Sequence, residues 1–147
     1  MNEDGFYLKV ARSLSGCQLV EQELKLYITE ALQLVQKRVA HRMPFKMSGS
    51  DYEDASLERL ISTFQKLNDN DELVKKLNSF KRERNFLSHQ GITHCLDYEG
   101  ELFESTAEEF QQRLEDIQSE ADRLRLAIHE EANKFRGFLW FEDVPNA

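Results

Sequence analysis

Proline and glycine are scarce in this chain, with two prolines and six glycines in 147 residues. Their scarcity leaves few points at which a helix must stop, and plentiful Leu, Glu, Gln, Lys and Arg favour helix. Cysteine is scarcer still. Cys17 and Cys95 are the only two, they lie far apart, and the N-terminus has no basic start followed by an apolar run. No secretory signal is expected, and a reduced, cytoplasmic setting follows. No stretch approaches the roughly 18 consecutive apolar residues that a membrane span needs. His94 and Cys95 are adjacent but have no companion pair at metal-ligand spacing, which excludes a zinc site; no metal and no cofactor are expected. Gly49 stands alone with no Lys-Ser/Thr pair after it, so no phosphate-cradling loop is present. Internal repeats are absent. The length suits one domain over residues 1–147 with a single core.

Basic charge is also in short supply. The formal net charge is −8, which argues against a general nucleic-acid binder. The bases are unevenly spread, however. Lys37, Arg38, Arg42 and Lys46 fall in a stretch without acids, and Lys75, Lys76, Lys81, Arg82 and Arg84 cluster further on. The acids concentrate between Glu104 and Glu131. The pattern fits either a basic and an acidic side or ordinary solvated helix faces.

What is present is helical periodicity. Phe6, Val10, Leu14, Cys17, Val20, Leu24, Ile28, Ala31 and Val35 recur at spacings of four and three, predicting a long first helix from Gly5 to His41. Gly16 inside it marks a bend or a close approach by another helix, and Cys17 a core thiol. Met43 to Asp54 reads as a loop, with Ser48-Gly49-Ser50-Asp51 flexible. Ser56 to Leu67 is a short helix. Asn70 is an N-cap for a third helix starting near Asp71. Ile92 to Phe103 alternates like a strand and fits a small hairpin or an irregular loop. Ser105 and Glu108 form a capping box for a long last helix. The dense aromatics Phe135, Phe138, Leu139, Trp140 and Phe141 near the chain end either fold over the bundle or offer a partner surface. The expected fold is all-α, an antiparallel four-helix bundle with long first and last helices.

The third helix carries the candidate site, in the string Lys81-Arg82-Glu83-Arg84-Asn85-Phe86-Leu87-Ser88-His89. Arg84 falls on the inward stripe between Phe80 and Leu87, where an apolar residue is expected and a buried guanidinium needs a partner. A salt bridge to a first-helix acid such as Glu21 or Glu23 would supply one. Asn85 and His89 share a helix face, and Gly91 supplies a stop. His89 alone reads equally as a helix-end residue favoured by the dipole.

Arg-Asn-x-x-x-His resembles the motif of the HEPN superfamily, small helical bundles of which many members are metal-independent ribonucleases. The resemblance implies catalytic Arg84, Asn85 and His89, with Lys81 and Arg82 contacting RNA. In the chemistry that follows, His89 moves a proton, Arg84 grips non-bridging phosphate oxygens, and Asn85 orients His89 or the phosphate. On a regular helix Arg84 and His89 point about 140° apart. The resemblance implies a homodimer that pairs two motifs, and a restraining partner such as an antitoxin. The alternative is a non-catalytic helical module that binds a protein or nucleotide in regulation.

Overall fold

The structure is a computed structural model that describes residues 3–91 and 101–142, with side chains at 4–89 and 109–142. It is all-helical among the described residues. Four α-helices follow one another: α1 (Glu3–Val39), α2 (Leu57–Lys66), α3 (Asp71–Phe86) and α4 (Glu101–Trp140). A 3₁₀ turn at Gly49–Tyr52 precedes α2, and α3 runs on into a π-helical turn at Leu87–Gly91. The first and last helices are the long ones, of 37 and 40 residues.

The apolar stripes meet as their spacing requires. Phe6, Val10, Cys17, Val20, Leu24 and Ile28 from α1 are buried with Leu60, Ile61 and Phe64 from α2. Leu77 and Phe80 from α3, and Leu114, Ile117, Ala121, Leu124 and Ile128 from α4, complete this core. Leu14 packs against it from the margin.

The direction of the long helices departs from the expected antiparallel arrangement. Contacts between α1 and α4 climb both chains together. Phe6 meets Phe110 at 5.6 Å, Ser13 Oγ donates to the Leu114 carbonyl at 3.0 Å, and Arg136 donates to Glu30 at 2.8 Å. Lys37 Nζ reaches the Leu139 carbonyl at 2.8 Å. α1 and α4 are therefore parallel. α3 runs against both, since its N-cap Asn70 meets Glu131 while Glu83 near its end meets Arg113. The cause is the connection after α1, which carries the chain back along that helix before α2 begins. Lys25 Nζ donates to the Glu53 carbonyl at 2.8 Å, and Gly49 lies against Thr29. A return connection of this kind permits two helices to point the same way, which tight turns do not.

That connection is not the flexible loop expected at residues 48–51. Tyr52 is buried, the Ser48 N–H donates to Asp51 Oδ2 at 3.1 Å, and a side chain at Gly49 would lie 2.7 Å from Thr29 Cβ. Local composition missed the approach of Gly49 to Thr29 because it is made with α1.

Gly16 marks a close approach of helices. A Cβ placed there would sit 3.1 Å from Ala121 Cβ on α4. Because that neighbour is the first atom of a side chain, only movement of a helix relieves the crowding. Gly16→Leu is expected to lose about 1–3 kcal/mol of stability by overpacking. Urea unfolding beside the parent checks it, and an unchanged midpoint would show that the seam yields.

α4 starts at Glu101 rather than at the expected Ser105 cap. Ser-x-x-Glu is compatible with a helix interior as well as with its start, and Glu101 to Glu104 offer no breaker. Residues 101–103 are thus helical, while 92–100, the rest of the expected hairpin or loop with His94 and Cys95, lie outside the described residues.

Candidate functional site

α3 is rotated by its buried face. Asn70 caps it, its side chain accepting from the Leu73 N–H at 3.1 Å. Leu73, Val74, Leu77 and Phe80 face inward, and Leu87 is fully buried just beyond. That rotation turns Arg82, Asn85 and His89 outward and leaves Lys81 and Arg84 at the margin.

Arg84 is therefore not the buried guanidinium that its place on the stripe suggests. Its side chain is 39 % exposed, and its Nε lies 3.6 Å from Glu21 Oε1, whose side chain is 18 % exposed. The pairing with a first-helix acid exists, at the edge of the core. The long stem carries the charge outward while the helix backbone stays packed.

The helix loosens at the motif. The Leu87 N–H is shared between the Arg84 and Glu83 carbonyls, and the next turn is π-helical. Such single wide turns recur at functional sites. A wider turn rotates less per residue than the ~100° of an α-helix. Only the two steps from Leu87 to His89 fall within it, so the angle between Arg84 and His89 narrows without closing. Asn85 and His89 remain on one face.

Lys81, Arg84 and Asn85 line one cleft of about 360 Å³, together with Glu21, Asp54 and Glu58. Arg82 and His89 do not line it. The cluster of bases noted around the motif is thus interleaved with acids, from α1, α2 and their connection in the cleft and from α3 itself at Glu72. Lys81 Nζ lies 3.9 Å from Glu58 and Lys75 lies 3.6 Å from Glu72. A phosphate entering the cleft competes with Glu21 for Arg84.

Cys17 lies near this pair. Burial pushes its thiol up to about 11, with Arg84 opposing and Glu21 adding to the shift. The thiol stays protonated at neutral pH, and it is a packing group as expected.

The groove between α3 and α4, about 540 Å³, has Phe80 and Ile117 among its lining. Arg113 spans it, donating to both Glu83 oxygens at 2.7 and 2.9 Å and lying 3.3 Å above the Phe86 ring. This is an ion-paired seam that locks α3 to α4.

Two polar clusters escaped the sequence reading. Arg136 donates through Nε and Nη2 to the two oxygens of Glu30, both at 2.8 Å, and both residues are buried. That hydrogen bonding raises the Arg136 pKa above its ordinary value, against the opposing effect of burial. The second cluster surrounds buried Glu131, which accepts from Asn70 at 2.6 Å, Asn68 at 3.2 Å and Lys134 at 2.8 Å. Burial pushes its carboxyl up, but these donors outweigh it and hold the pKa below the usual carboxylate range. The sequence signal for both was slight: Glu30 and Arg136 each stand next to a stripe residue, Ala31 and Phe135.

Among the described residues no group of three His, Cys, Asp or Glu is placed to hold a metal ion, and no helix is long and apolar enough to cross a membrane. No protein-family model matches the chain, and no curated protein sequence or solved structure matches it either.

Proposed function

We propose that this protein is a metal-independent endoribonuclease of the HEPN type. The observation that carries the reading is the end of α3. There Arg84, Asn85 and His89 all reach solvent, and the helix widens into a π turn between the first and the last of them. The order Arg-Asn-x-x-x-His, late in the third of four helices, supports the same assignment.

RNA supplies its own nucleophile. The 2′-hydroxyl attacks the adjacent phosphorus while His89 takes or relays its proton, and the 5′-oxygen leaves with a proton. Arg84 exchanges Glu21 for two non-bridging oxygens and stabilises the phosphorane. Lys81 and Arg82 contact the flanking backbone. Because Arg84 and His89 of one subunit diverge, the site is completed by a second copy across a two-fold axis. In this reading the protein is a cytoplasmic homodimer that acts as a toxin or in defence, held in check by an antitoxin or regulatory protein.

A second reading is a non-catalytic helical module that binds a protein or nucleotide partner. The three carboxylates lining the Arg84 cleft favour it.

Incubating purified protein with RNA in excess EDTA separates the two readings. Cleavage is expected to persist, with products ending in 2′,3′-cyclic phosphate or its hydrolysed form. Activity that requires magnesium and leaves plain 3′-hydroxyl ends would locate the chemistry elsewhere, and intact RNA would leave the binding module.

A further inference from the structure

The turn between α2 and α3 is tied to α4 by buried Glu131. Its Oε1 accepts from Asn70 and its Oε2 from Asn68. Tyr27 of α1 joins this knot, donating to the Leu67 carbonyl at 2.8 Å while Asn68 donates to its hydroxyl at 3.1 Å. These bonds account for the turn. They do not account for the cleft of about 440 Å³ that opens beside it.

Three features of the cleft point to an occupant. The first is loose charge of both signs. Lys66 and Asp69 line the cleft, both are exposed, and neither forms an ion pair among the described residues. The second is a movable ammonium. Lys134 Nζ lies 2.8 Å from Glu131 Oε2, yet the Lys134 side chain is 69 % exposed and that of Glu131 only 6 %. The bond to Glu131 raises the Lys134 pKa above its ordinary value, and the nearby charge of Asp69 adds to the rise. The third is an apolar wall, made by Phe135 and the Tyr27 ring, which meet edge-on at 5.2 Å.

We propose that this cleft binds a free α-amino acid with an apolar side chain. The ligand's ammonium replaces that of Lys134 at Glu131, with Asp69 beside it. The released Lys134 joins Lys66 on the ligand's carboxylate, and the apolar side chain rests on Phe135 and Tyr27. Charge selects this class. Buried Glu131 has to keep a cationic partner, so only a ligand that carries an ammonium can take the place of Lys134. Asp69, Glu131, Lys66 and Lys134 give the lining two acids and two bases. A simple amine would bring a third cation to two carboxylates, and a simple acid a third carboxylate to two ammonium groups. A zwitterion keeps the balance. The site shares no lining residue with the Arg84 cleft and does not depend on the ribonuclease reading.

Titration calorimetry of the full chain with three compounds of one shape is the test. L-Phenylalanine carries both charges, phenethylamine lacks the carboxylate, and hydrocinnamate lacks the ammonium. L-Phenylalanine is expected to bind with a dissociation constant of about 10 µM to 1 mM. Each of the other two is expected to bind at least about tenfold more weakly, because one charge-assisted contact is lost. Lys66→Gln with Lys134→Gln is expected to reverse the order. The carboxylate then has no cation to meet, and an incoming amine no longer competes with Lys134 for Glu131. General loosening of the turn would weaken both compounds together instead. Circular dichroism confirms that the variant is folded, and the comparison of the three compounds on the parent stands without it. The proposal is overturned by any of three results: no binding of L-phenylalanine up to about 10 mM, equal binding of the three compounds by the parent, or an unchanged order of the two amines in the folded variant.

Discussion

Arg136→Leu is expected to destabilise the protein by about 3–5 kcal/mol, the largest loss for a change at any charged position. Glu30 and Arg136 are buried between the two parallel helices and hydrogen-bonded through two parallel contacts of 2.8 Å. Their attraction roughly offsets the cost of taking both charges out of water, so the intact pair adds little net stability. Removing one partner is different, because the remaining carboxylate is then buried and unpaired. The thermal midpoint should fall by roughly 10 °C for a chain of this size. Glu30→Leu combined with Arg136→Leu is expected to recover much of the loss, since both charges leave together. Urea unfolding of the parent, both single variants and the double variant measures the coupling. A cost below about 1 kcal/mol for Arg136→Leu would mean that water reaches Glu30 and that the pair does not join α1 to α4.

His89→Ala is expected to lower RNA cleavage by about 10²–10⁴-fold while leaving the fold unchanged. His89 is exposed in the π-helical turn, next to half-buried Ser88, and is not one of the buried core residues. Arg84→Ala is expected to abolish cleavage at a stability cost of no more than about 1 kcal/mol. The reason is the 39 % exposure of Arg84 and the access that Glu21 retains to water. A wholly buried pair predicts instead a loss of several kcal/mol, so thermal unfolding of Arg84→Ala separates a catalytic arginine from a structural one. Sedimentation of the same variant reports whether the proposed dimer persists without the motif's charge. Parent-like cleavage by either variant would remove that residue from the mechanism.

The helical class was legible because apolar residues three and four apart repeat through long stretches of the chain, and almost nothing breaks them. Asn70 was readable as a cap because a cap needs only its own helix. The 48–51 turn was misread because Thr29 and the rest of α1, which hold it, are remote in sequence. Ser105 shows the reverse error. A local cap pattern fell inside a helix that had already begun.

At the candidate site, residue types and spacing were available from the sequence, and the environment was not. Periodicity put Arg84 on the buried stripe, but a long side chain at the stripe's end can carry its charge to the margin, and packing decided that it does. The acids facing Lys81 and Arg84 come from α1, α2 and the connection between these helices, so no local window contains them. The sequence by itself determined the helical class of the described residues, the start of α3 at its Asn70 cap, most of the buried faces, and that Arg84, Asn85 and His89 fall close together near the end of the third helix. These depend on short-range periodicity and capping. Only the tertiary structure decided that α1 and α4 are parallel, that Glu30 meets Arg136 across 106 positions, and that Lys37 reaches the Leu139 carbonyl at the end of α4. Helix direction depends on where a connection docks, and a buried ion pair depends on which faces then meet.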